Sequence, residues 1–295
     1  MQRMNKLNNG VKYMLIASFS FAIMGAFAKL ASQSMSSLEV VFFRSLFGVV
    51  IIGYAVYKKP MTHSGGKPFL LLFRGTIGFL ALLAYFYNIA NIPLGDAVTF
   101  SKTSPIFTAI FAWLFLKEKL SFSAWLAVFI GFGGILLITQ PTGIGFSKYD
   151  VLGIFSGVGA ALAYTSVREL RNYYDTRAIV LSFTLVGSIG PIILFLLSKY
   201  FYIYELDFML GEFVLPQGIV WIYIIGVGLL GTLSQFFMTK AYAETKAGIV
   251  GAVSYTNIVF SILFGVLLGD TFPDFITSSG IILIILSGIM VDRAK

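Results

Sequence analysis

Ten apolar stretches, each about twenty residues long, follow one another along this chain with short connections. They run near 11–30, 38–57, 68–90, 97–116, 122–139, 150–170, 177–198, 218–239, 246–268 and 273–291. About twenty apolar residues cross the hydrocarbon layer of a bilayer as a helix. Inside that layer each segment must pair its own backbone N–H and C=O groups. The expected fold class is therefore all-α integral membrane, with ten transmembrane helices. Charged residues make up 12% of the chain, half the roughly 25% typical of soluble domains, so a soluble fold would leave apolar surface uncovered. No small-residue cleavage site follows the first apolar run, which reads as a retained span and not a signal peptide.

Lysine and arginine in the loops set the orientation. With the N-terminus in the cytoplasm, the inner segments hold Arg3, Lys58, Lys59, Lys67, Arg74, Lys117, Arg168, Arg171, Lys240 and Lys295 among others, whereas the outer loops hold only Lys148 and Lys199. The bias alternates correctly at every loop and places both termini inside. The net charge of +8 does not point to nucleic acid, because these cations are dispersed over short loops.

An internal repeat divides the chain into residues 1–140 and 141–295. Pro105-Ile106-Phe107, Leu116-Lys117-Glu118 and Gly133-Gly134-Ile135-Leu136 in the first half align with Asn257-Ile258-Val259-Phe260, Leu268-Gly269-Asp270 and Ser287-Gly288-Ile289-Met290 in the second. Glu118 pairs with Asp270, and Gly134 with Gly288. Five spans per half is an odd number, so the halves are inverted in the membrane. Transporters recurrently use this design, with the binding site near the midplane between the repeats.

Polar residues within the spans point to a site. Thr99-Phe100-Ser101-Lys102-Thr103-Ser104-Pro105 interrupts the fourth apolar stretch. A lysine at that depth costs roughly 2.5–3.5 kcal/mol on insertion scales and calls for a partner, a wet cavity or a ligand. Pro105 removes a helical hydrogen bond and clashes one turn back, near Lys102. Thr99, Lys102 and Thr103 share a helical face by their spacing. Arg44 and Lys102 each lie about six residues into a span that starts outside, which suggests one electropositive vestibule. Lys29 reads as a snorkelling anchor at the outer end of the first span. In the second half Tyr255, Asn257 and Gln235 are candidate substrate contacts. Tyr85 with Asn88, Tyr164 with Arg168, and Thr232 with Thr239 read as interhelical glue. Gly153 with Gly157, and Gly265 with Gly269, read as close-packing pairs. The carboxylates Glu39, Asp96, Glu118, Asp150, Glu169, Asp270 and Asp274 sit at span ends or in loops, so no mid-span acid offers a proton relay. Glu39 comes nearest.

The chain resembles the drug/metabolite transporter superfamily, specifically its EamA-type members. The resemblance covers almost the whole chain. It rests on Leu38-Glu39-Val40-Val41-Phe42-Phe43-Arg44, Arg74-Gly75, Ser104-Pro105-Ile106-Phe107-Thr108-Ala109, Leu116-Lys117-Glu118 and Gly131-Phe132-Gly133-Gly134, and then on Tyr255, Gly265, Leu268-Gly269-Asp270, Pro273 and Ser287-Gly288. The Glu39–Arg44 segment with Arg74-Gly75 looks most like the branch holding S-adenosylmethionine uptake transporters. Asn257 departs from the pattern, standing where that family's second half often has proline. The resemblance implies transport of a small metabolite across a membrane, a bacterial inner membrane on the family's habits, with no cofactor. The cations at depth add the expectation of an anionic group on the substrate, such as an amino acid carries. A membrane-embedded enzyme would need a nucleophile with a base, or a metal site. The chain has no Cys, no HExxH and no G-x-S-x-G, and His63 is its sole histidine. A scaffold or receptor would explain neither the repeat nor Lys102.

Overall fold

The computed structural model describes residues 2–61, 65–116, 121–139, 147–201, 203, 206–244 and 253–293. These form helices α1 (Gln2–Ala31), α2 (Ser37–Lys58), α3 (Pro68–Asn91), α4 (Leu94–Ser101), α5 (Ser104–Leu116), α6 (Phe122–Thr139), α7 (Lys148–Leu170), α8 (Thr176–Ser198), α9 (Val220–Glu244), α10 (Thr256–Leu267) and α11 (Phe275–Arg293). No strand occurs among the described residues. Among the described residues six helices are long and apolar enough to cross a bilayer: the cores of α1, α2, α3, α7, α8 and α9. Shorter apolar helices run over Trp125–Ile138, Thr256–Leu267 and Phe275–Ser287. Polarity is distributed for lipid. Phe69, Phe129 and Phe275 stand well exposed, while Arg44, Arg74, Asn88 and Ser261 are buried.

Helix ends follow local chemistry. Ser36 caps α2 in a reciprocal box with Glu39, whose Oε2 accepts from the Ser36 N–H at 2.8 Å. Ser147 and Asp150 do the same for α7. Such boxes satisfy N–H groups that the first helical turn leaves unpaired. Pro68 begins α3, where a missing N–H does no harm.

The fourth apolar stretch is broken. α4 ends at Ser101 and α5 begins at Ser104. Lys102, at φ −80° and ψ 4°, closes α4, and its N–H donates to the Val98 carbonyl at 3.0 Å. Thr103 N–H then donates to Phe100 O at 3.1 Å, a tighter turn. Pro105 lies in the first turn of α5, so its ring obstructs the turn before it and the break falls there.

α1 packs on α9 and α10, α3 on α7 and α8, and α2 on α8 and α9. α7 also packs on α4 and α5, α4 on α10, and α6 on α11. Glycines allow two of these contacts. A Cβ on Gly134 would stand 2.8 Å from the Gly280 carbonyl, and one on Gly280 2.7 Å from that of Gly134, so α6 and α11 touch backbone to backbone. Gly153 and Gly157 of α7 lie against the broken stretch: a Cβ at Gly153 would stand 2.5 Å from the Phe100 ring. The expected pairing of Gly265 with Gly269 does not form. Gly265 meets Asp270 and Leu94, whereas Gly269 has open space around it and φ +96°. It serves the left-handed turn that ends α10.

Polar links join helix ends in two groups. Lys67 pairs with Glu169 at 2.7 Å, and Arg177 Nη1 donates to the Lys59 carbonyl at 2.6 Å. These lie on the side expected to be cytoplasmic. On the other side Lys29 pairs with Asp270, Lys148 with Asp207, and the Val214 N–H donates to Glu39 Oε1 at 2.6 Å. Two expectations change here. Lys29 is not a free snorkelling anchor, because it bridges α1 to Asp270 and to the Ile92 carbonyl at 3.2 Å. Glu39 is not poised as a relay: one oxygen caps α2 and the other accepts from the Val214 N–H ahead of α9. Glu118, Lys117, Lys246 and Lys295 lie outside the described residues.

Candidate functional site

Arg44 and Arg74 approach one another from opposite ends of neighbouring helices. Arg44 lies about two turns into α2 from the Ser37 end, and Arg74 about two turns into α3 from the Pro68 end. Both converge on Phe183 of α8. The ring centroid is 5.3 Å from Arg44 Cζ and 4.4 Å from Arg74 Cζ, within the range in which a ring face attracts a cation. Each arginine is 2% exposed. Glycines make room for them: a Cβ on Gly231 would stand 2.9 Å from Arg44 Nε, and one on Gly78 2.9 Å from Arg74 Nη1.

The two guanidiniums are incompletely satisfied. Arg44 Nε, Arg74 Nε and Arg74 Nη1 are buried with no hydrogen-bond partner among the described residues. A buried N–H without an acceptor forfeits its hydration, about 1–3 kcal/mol and more on a charged group.

These side chains border an interior cavity between the two halves of the chain. Measured as the space open to the centre of a water molecule, it is about 90 Å³, room for several waters. Lys102 reaches it from the helix break, Tyr85 from α3, Tyr164 from α7, Gln235 from α9 and Asn257 from α10. Among the described residues the lining contains no aspartate or glutamate. Asn257 Nδ2 donates to the Ser18 carbonyl at 2.8 Å, tying α10 to α1. Gln235 Nε2 is 3.4 Å from Thr239 Oγ1, a long contact.

Of the residues singled out from the sequence, Arg44, Lys102, Gln235 and Asn257 line this one cavity. Thr99, Thr103 and Tyr255 are not among its lining residues. Thr99 Oγ1 donates to the Gly95 carbonyl and Thr103 Oγ1 to that of Phe100, each at 2.7 Å. Both hydroxyls thus serve backbone beside the break. Tyr255 is buried at the start of α10 in the main apolar core. The sequence reading also needs one correction. Arg74 is not a cytoplasmic loop charge but a buried cavity residue. The signal was available, since Arg74 lies as far inside the stretch 68–90 as Arg44 lies inside 38–57. Tyr85 and Tyr164, read as interhelical glue, border the cavity too.

The fold and site define an all-helical integral membrane protein with a cationic cavity at its centre. The chain belongs to the EamA-like transporter family, whose pattern it matches twice, over residues 8–140 and 147–291. It is 38% identical to an uncharacterized transporter of Helicobacter pylori, over 97% of this chain and 95% of that one. It is 33% identical to the pseudopaline exporter CntI of Pseudomonas aeruginosa, over 98% of both. An S-adenosylmethionine uptake transporter of Rickettsia conorii is 24% identical, over 94% of this chain and 90% of its own.

Proposed function

We propose that this chain is a secondary transporter that binds a small metabolite bearing an anionic group in the cavity between its halves. One observation carries this reading: Arg44, Arg74 and Lys102 border a cavity whose lining, among the described residues, offers no carboxylate. Burying a cation is costly unless an opposite charge accompanies it, and a substrate anion supplies that charge when it binds. Arginine suits a planar anion bidentately, and lysine acts as a point charge. Gln235 and Asn257 supply neutral polar contacts, while Thr99, Thr103 and Tyr255 shape the walls behind them. An amino acid or S-adenosylmethionine meets this requirement. Reconstituted vesicles supplied with radiolabelled candidates, with and without a pH gradient, test it. Lys102→Met is expected to abolish uptake with normal expression. Selective transport of a purely cationic or neutral compound would sink the anionic reading. Strict dependence on a proton gradient would sink exchange or downhill flux, which the acid-free lining favours.

The same reading holds that ten spans form two inverted five-span repeats, residues 1–140 and 141–295, with α4 and α5 together as the fourth span. Helix packing supports it. Exchanging the halves turns the α1–α9 contact into α7–α3, α1–α10 into α7 with α4 and α5, and α2–α9 into α8–α3, all present. The contacts α2–α8, α4–α10 and α6–α11 map onto themselves. The double family match falls on the same halves. Both termini then lie in the cytoplasm of a bacterial cell, in its inner membrane. Cysteines introduced singly at the termini are expected to resist an impermeant reagent in intact cells. Labelling of Lys295→Cys from outside would overturn this orientation.

A further inference from the structure

We infer that the substrate is a small dicarboxylate, with one carboxylate at the Arg44–Arg74 pair and the second at Lys102. This rests on the anionic-substrate reading and deepens it. Three cationic side chains border the cavity; a single monoanion would leave two of them uncompensated in a low-dielectric interior, and a dianion one. The cations also form two groups. Arg44 and Arg74 share the Phe183 ring. Their three unpartnered nitrogens, on side chains 2% exposed, are donors awaiting an acceptor in one place. A carboxylate has two coplanar oxygens, enough to engage both guanidiniums at once.

Lys102 forms the second group. It stands in the gap between α4 and α5 and does not share the Phe183 ring. The negative end of α4 and the positive end of α5 meet there and offset one another, so the ammonium is the net charge of this group. A phosphate monoester would concentrate its charge at one of these groups, whereas a dicarboxylate divides its charge between them.

The test uses the purified full-length protein in detergent and reads its melting temperature against matched probes: succinate, glutarate, glutamate, glutamine, butyrate and glycerol 3-phosphate. Diacids are expected to stabilise at concentrations at least about tenfold lower than monoacids, as loss of one buried charge pair implies. Lys102→Gln is expected to erase that preference while keeping weak monoacid binding, and Lys102→Arg to restore it. If Lys102→Gln fails to fold, the wild-type and Lys102→Arg ratios decide. Equal stabilisation by butyrate and succinate would overturn the two-carboxylate inference and leave the anionic reading standing. Preference for glycerol 3-phosphate would overturn the carboxylate class. A diacid preference that persists in Lys102→Gln would overturn the assignment of the second carboxylate. Response to no anion in the set would overturn the inference, and response to neutral or cationic compounds alone would overturn the anionic reading as well.

Discussion

Arg74→Gln is expected to abolish transport and to leave the protein as stable as before, or more stable. The two directions follow from one fact: the Arg74 guanidinium is buried, and its Nε and Nη1 have no acceptor among the described residues. In the empty protein that charge carries a desolvation cost that the Phe183 ring offsets only in part, so a neutral amide relieves the cost. With an anion bound, the same charge is its partner. Removing one member of a buried, hydrogen-bonded charge pair costs about 2–5 kcal/mol, a fall in affinity of roughly thirtyfold to several thousandfold. Arg74→Lys keeps the charge but loses the planar fork, and should fall between. Gly78→Ala is a milder version, because its methyl would press on Arg74 Nη1 without removing the charge. Radiolabel uptake into vesicles, paired with melting temperature in detergent, checks both arms. Wild-type uptake by Arg74→Gln would remove Arg74 from the site, and unfolding would assign it a structural role.

Gly157→Ala lowers the melting temperature and uptake together. A Cβ at Gly157 would overlap Thr103 Oγ1 and stand 2.8 Å from the Phe100 carbonyl oxygen. Both atoms belong to the break between α4 and α5, where the backbone is already committed to the turn that presents Lys102. Overpacking of this kind costs about 1–3 kcal/mol, and relief requires α7 to move away from the break. Thr103→Ala in the same protein removes the hydroxyl overlap but not the carbonyl contact, so recovery is partial. Gly133→Ala is the control. No atom beyond its own neighbours lies within 4 Å of a Cβ there, and alanine favours a helix over glycine by up to about 1 kcal/mol. Thermal unfolding in one detergent compares the three, and a Gly157→Ala protein as stable as wild type would refute this account of the packing.

Much of this molecule was legible along the chain because the relevant physics is local. Each apolar stretch predicts a helix, since an isolated segment in hydrocarbon can pair its backbone groups only within itself. Pro105 announced the interruption near Lys102, because a proline ring acts on the turn before it. Arg44, Lys102, Gln235 and Asn257 could be singled out because polar side chains at such depth need a reason. Arg74 carried the same signal, but tallying it with the loop cations hid it.

Tertiary structure decided which way each side chain faces. Helical spacing puts Thr99, Lys102 and Thr103 on one stripe only if the helix continues. The helix runs through Thr99 to Lys102, whose N–H bonds the Val98 carbonyl, and breaks at Thr103; both threonine hydroxyls serve backbone carbonyls. Lys29 and Asp270 are far apart in sequence, and nothing local to either announces their ion pair. Nothing in the sequence around Glu39 announces that the Val214 N–H, far along the chain, occupies one of its oxygens. The sequence by itself determined where helices form and break, and which residues carry charge into the membrane. Only the packing of α2, α3 and α8 brought Arg44 and Arg74 to the same ring, because the rotation of a helix about its axis is set by the neighbours it meets, not by its own residues.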